Sequence, residues 1–102
     1  MMAKTAEKPE ASIYPEYIKE GSDNSLTVTL ARGFLVAGAK VTSVKLREPS
    51  LEDQLTSQKN SNSAEAEVAL IANLAEIAPD DLRGIMMRDF IRLQEALGFL
   101  YG

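Results

Sequence analysis

The spacing of apolar residues changes character once along this chain, and the change falls at Pro49. Before it, Leu26, Val28 and Leu30 alternate with Thr27 and Thr29, the period of a strand with one buried face. A second strand runs from Lys40 to Arg47, with Thr42, Val44 and Leu46 on one face. Val41 falls on the other face, so that side is either covered or the strand carries a bulge. Between the two, Gly33 precedes Phe34-Leu35-Val36-Ala37, and Gly38-Ala39 supply a turn. Pro49 has no N–H to donate and ends the pairing. Helical spacing follows. Such a chain is α+β, a small N-terminal antiparallel β-hairpin or sheet followed by three to four α-helices.

The helices announce their ends. Ser50 is an N-cap with Asp53 three residues on, an approximate capping box, and Leu51 and Leu55 share a face of a helix ending near Gln58. Ser63 caps a helix from Ala64 to about Ile77 that carries Val68, Ile71, Leu74 and Ala75 on one side. Leu70 and Ile77 widen its apolar arc beyond the ~100° stripe of a helix with one buried face, so it touches more than the sheet. Pro79 opens a short turn with Asp80 and Asp81 near the positive end of its dipole, and Gly84 ends it. The last helix spans about Arg88 to Gly98 or beyond. Phe90, Leu93, Leu97, Leu100 and Tyr101 form its main stripe, and Ile91 and Phe99 lie on the other side.

A length of 102 residues allows one core, which is assigned to residues 25–102. Residues 1–24 are polar, broken by Pro9, Pro15 and Gly21, and read as a flexible arm. Its cluster of Ile13, Tyr14, Tyr17 and Ile18 offers an alternative, docking on a neighbouring subunit or a partner. The net charge is −4 and the basic residues are scattered, which argues against nucleic acid, whose binding depends on neutralising phosphates. No apolar stretch resembles a signal peptide or a membrane span, so the cytoplasm is the expected compartment.

His and Cys are both absent, which removes the commonest general base and the strongest nucleophile. The serines lie in loops without a Gly-x-Ser-x-Gly elbow, and Gly33 and Gly38 fail the P-loop pattern because Ala39 and Val41 stand at its critical positions. Asp80, Asp81 and Asp89 could be taken for a carboxylate pair or a hard-metal site, but they lack EF-hand alternation, and helix-start charge accounts for the first two. No enzyme, cofactor or metal site is expected.

The order of segments goes further than composition. Val36-Ala37-Gly38-Ala39-Lys40 through Arg47-Glu48-Pro49-Ser50 resembles the hairpin of the phage tail assembly chaperone family, in which a Gly turn leads to an alternating strand and an Arg-x-Pro step. Glu67 to Ile77, followed by Ala78-Pro79-Asp80-Asp81-Leu82, is similar to that family's helix and Pro-acid-acid-Leu turn. Asp89-Phe90-Ile91-Arg92-Leu93, ending in Gly98-Phe99-Leu100, looks like its closing helix. The chain departs where the family often has Pro, at Phe34 and Leu35, and where Gly is common, at Glu76.

The resemblance implies a non-catalytic protein of Mu-like, contractile-tailed phages that acts in the host cytoplasm and is absent from the finished virion. Its partners would be the tail tape-measure protein and the tail tube protein, whose subunits it would help to recruit, and many such proteins also exist in a longer, frameshifted form. Self-association is a further expectation. A small structural component of the tail or baseplate, or an adaptor for an unrelated protein, would share the same features. The surplus apolar residues Ile91, Phe99, Leu70, Ile77 and Tyr101 are the candidates for protein binding.

Overall fold

The computed structural model describes residues 13–60 and 62–102. Strands β1 (Ile18–Glu20), β2 (Leu26–Val36) and β3 (Ala39–Leu46) form an antiparallel sheet in the order β1-β2-β3. Helices α1 (Leu51–Ser57), α2 (Ser63–Ala75), α3 (Pro79–Leu82) and α4 (Met87–Tyr101) follow. This is the α+β order expected from the change of period at Pro49. One face of the sheet gives Leu26, Val28, Val44 and Leu46 to the core. They meet Ile71 and Leu74 of α2, Leu82 of α3, and Leu93 and Leu97 of α4, with α4 against β2 and α2 against β3.

The structure divides the segment read as an arm. Residues 1–12 lie outside the described residues. Beyond them, Ile18 pairs with Val28 and is buried, and Tyr14 and Tyr17 pack against the core. Of the cluster, Tyr14, Tyr17 and Ile18 dock on their own domain while Ile13 stays exposed, because β2 offers an unpaired edge, which a short strand can satisfy without a periodic pattern of its own.

The β2–β3 turn sits one residue earlier than Gly38-Ala39. Ala37 and Gly38 occupy it with φ of 51° and 85°, the two positive values of a type I′ hairpin turn. Ala37 bears the cost of that conformation, and its N–H donates to Asp81 Oδ2 at 3.2 Å. The expected bulge is present, but β2 carries it. Thr29 pairs with Ser43 and Phe34 with Val41, so residues 30–33 face Thr42 alone. The inward phase changes there, which lets Val41 pack against the core beside buried Phe34.

Asp89 fills the bulge. Its carboxylate accepts the Ala31 N–H at 2.6 Å, the Arg32 N–H at 2.9 Å and the Gly33 N–H at 3.0 Å, and the side chain is fully buried. Gly33 is required, since its φ is 80° and a Cβ there would lie 2.8 Å from the Val41 carbonyl oxygen. Burial pushes the Asp89 carboxyl upward, but the three N–H donors outweigh it and hold the group below the usual carboxylate range. Its place in the first turn of α4 adds the favourable end of the helix dipole.

Two helix ends differ from the sequence reading. Asn62, not Ser63, caps α2 by accepting the Glu65 N–H at 2.8 Å. Glu76 closes α2 in the left-handed region, with φ 58° and ψ 43°, which explains why glycine suits this position in the family that the sequence resembles. Gly98 does not interrupt α4, which continues to Tyr101.

Replacing Asp89 by Ala takes the acceptor from three backbone donors, of which the Gly33 N–H is fully buried and the other two part-buried. An unsatisfied buried donor costs about 1–3 kcal/mol, so chemical denaturation should show a loss of about 2–4 kcal/mol. The depressed folded value gives the sign of the pH response. The contribution of Asp89 is complete above the unfolded carboxyl value of about 4 and is lost as pH falls below it, so Asp89→Asn should flatten the acid limb of the stability profile. Glu76→Gly relieves a left-handed non-glycine residue and should raise stability by about 0.5–1 kcal/mol in the same assay.

Candidate protein-binding groove

Helix α1 is amphipathic in the inverted sense. Asp53 and Ser57 face inward and are buried, while Leu51 and Leu55 are 74% and 55% exposed. A polar inner face is tolerable only if each group is satisfied, and Asp53 is satisfied several times over. Arg47 at the end of β3 holds it with two bonds, Nη1 to Oδ2 at 2.7 Å and Nη2 to Oδ1 at 3.0 Å. The Ser50 backbone N–H donates to it at 2.9 Å, completing the expected capping box, and Asn73 Nδ2 of α2 donates at 2.8 Å. The Arg47 guanidinium and the Ser50 donors hold the Asp53 carboxyl well below its ordinary value. Ser57 Oγ donates to the Gln54 carbonyl at 2.9 Å.

This anchoring leaves a groove of about 390 Å³ between α1, α2 and the C-terminal end of α4. Ala66, Leu70 and Leu97 make its floor, and Gln54 of α1 and Gln58, which caps that helix, form one wall. Asn60 and Asn62 also line it, Asn60 Nδ2 donating to the Ser57 carbonyl at 2.8 Å and Asn62 Oδ1 holding the α2 cap. Tyr101 closes the far side, and its hydroxyl donates to Gln54 Oε1 at 2.6 Å, joining α4 to α1. Glu67 brings the one carboxylate of the lining, and it accepts from Gln94 Nε2 at 2.8 Å. An apolar floor with an uncharged amide rim suits the side chains and backbone of a peptide or helix more than a charged small molecule.

The five candidate residues do not converge. Leu70 and Tyr101 share the groove, one in its floor and one at its rim. Ile77 is half-buried just after the C-terminus of α2 and packs against the core. Phe99 is half-buried and meets the Tyr14 ring edge-on, with centroids 4.9 Å apart and an interplanar angle of 81°. Ile91 lies apart, 54% exposed on the outer face of α4. The acidic residues are separated too. Asp80 pairs with Arg83 at 3.0 Å, Asp81 accepts from Ala37, and Asp89 serves the bulge. Among the described residues no group of three or more metal-ligating side chains forms.

Sequence reading missed Leu51 and Leu55 as surface residues. The available signal was the pair Asp53 and Ser57, four apart on the opposite face, which competes with the leucines for the inward position.

The family model for phage tail assembly chaperone proteins, E, or 41 or 14, matches residues 27–102. No curated protein and no solved structure matches the chain.

Because their side chains already lie in water, Leu51→Ser with Leu55→Ser should change unfolding free energy by less than about 0.5 kcal/mol each. Asp53→Ala removes the Ser50 N–H bond of the capping box, the Arg47 pair and the Asn73 contact together, leaves the Ser50 Oγ cap in place, and should cost about 2–4 kcal/mol, with amide exchange rising first in α1.

Proposed function

The chain belongs to the phage tail assembly chaperone family, and on that premise we propose that it binds the tail tape-measure protein before the tail tube forms around it, using the α1–α2–α4 groove. The supporting observation is the outward turn of Leu51 and Leu55 beside a groove floored by Leu70. A globular domain with no partner would place those leucines inward, whereas this chain commits buried polar groups to holding them out. A long apolar helix of a tape-measure protein fits such a site by laying its own apolar stripe across α1 and into the groove. The role is one of holding and release, without chemistry at a reacting bond, and it includes helping to bring tube subunits to the captured tape measure. It takes place in the host cytoplasm, and the protein leaves before the particle is complete. No helix among the described residues is long and apolar enough to cross a membrane.

Co-expression with the tape-measure protein of the same phage tests the assignment. The wild-type chain should recover that protein in a pull-down and keep it soluble. Leu51→Ser/Leu55→Ser and Tyr101→Ser should each reduce recovery at least about fivefold, a loss of about 1 kcal/mol of binding, with unchanged circular dichroism. Full recovery with the double variant would remove the groove as the site. Detection of the chain in purified tails at the abundance of a structural subunit would overturn the chaperone role in favour of a tail component.

A further inference from the structure

The outer face of α4 is separate from the groove and carries its own pattern. At about 100° per residue, positions 87, 91 and 98 fall in one narrow stripe, opposite buried Leu93 and Ala96. Met87 is 65% exposed and Ile91 54% exposed. Gly98 is also exposed, and a Cβ built there meets none of the described residues within 4 Å. The fold therefore gives no reason for glycine inside this helix, where it costs about 1 kcal/mol relative to Ala. Glycine in such a place is explained by close approach of something outside the domain.

Charge along one edge of the stripe says what that is. Arg88 and Glu95 lie on the same edge, two turns apart. Arg88 has no ion-pair or hydrogen-bond partner among the described residues. Glu95 accepts the Tyr17 hydroxyl through Oε1, which leaves Oε2 for a guanidinium. We propose that a second copy of this chain packs on the outer face of α4, the two α4 helices antiparallel about a two-fold axis near Ile91 and Arg92. That axis keeps each edge on its own side and reverses its direction, so Arg88 of one copy meets Glu95 of the other, twice. Ile91 packs on its own counterpart at the axis. Met87 of one copy lies over Gly98 of the other, where the missing side chain makes room for it. The pattern is self-complementary, which an unrelated partner helix would not require.

Sedimentation equilibrium of the full chain tests this. The weight-average mass should rise with concentration from the 11.1 kDa monomer toward the dimer. Arg88→Glu places like charges at both contacts and Gly98→Leu fills the space for Met87, so each should weaken dimerisation at least about tenfold. At dilutions where the wild type is monomeric, Gly98→Leu should melt at or above the wild-type temperature, because the position is open and leucine favours helix. Glu95→Arg should likewise fail to self-associate, yet an equimolar mixture of Arg88→Glu and Glu95→Arg chains should form heterodimers, since both contacts then join opposite charges. If Glu95→Arg does not fold, Arg88→Glu and Gly98→Leu decide the matter alone. A constant monomer mass for the wild type, unchanged association of Arg88→Glu or Gly98→Leu, or folded single variants that remain monomeric when mixed would overturn the proposal. Tape-measure capture is read separately, at the groove.

Discussion

A single carboxylate at the start of α4 takes three consecutive N–H groups from the middle of β2, and much of the domain is positioned by that contact. A bulge leaves its amides without ladder partners, and in a buried site that would be prohibitive. Asp89 removes the penalty and gains a fixed position in return. It sets where α4 begins and how it is rotated, so Leu93, Ala96 and Leu97 point into the core while Met87, Ile91 and Gly98 point out. Arg92, one turn on, donates to the Thr29 carbonyl at 2.7 Å and lies 4.2 Å from the centroid of the Tyr17 ring. The same helix thereby holds the bulge and the segment leading into β1.

Asp53 plays the corresponding part at the other end of the sheet. It ties the end of β3, the first turn of α1 and the side of α2 through Arg47, Ser50 and Asn73. The two sites share a principle: a buried or nearly buried acid is kept charged by surrounding donors, and directional bonds then orient a helix more narrowly than apolar packing could. The cost of that arrangement on α1 is an outer face that no other described residue covers.

Periodicity made the sheet, the helices and their order legible, because alternation and helical spacing are local properties of sequence. The Ser50–Asp53 box was legible for the same reason. The short β1, the displaced hairpin turn and the phase change in β2 were not, since each depends on a partner far along the chain. Asp89 left one mark that could have been read: it stands four residues before Leu93, on the stripe that enters the core, where a charge needs buried donors. Of the binding candidates, Leu70 and Tyr101 fell in one groove, and Phe99 and Ile77 are half-buried against the domain's own core. Surplus apolar residues on a helical wheel do not reveal that a distant segment packs on one of them, as Tyr14 does on Phe99.

The distance along the chain between Asp89 and its partners also orders events in time. The hairpin of β2 and β3 closes a two-residue turn and can form early, whereas the bond from Ala31 to Asp89 spans 58 residues. Until α4 arrives, the bulge amides remain solvated and the sheet has lost one of its covers. Leu97 and Tyr101, which complete the groove, travel on that same helix. The groove is therefore complete only after this long-range closure, and a chain whose C-terminal helix has not yet docked lacks that surface.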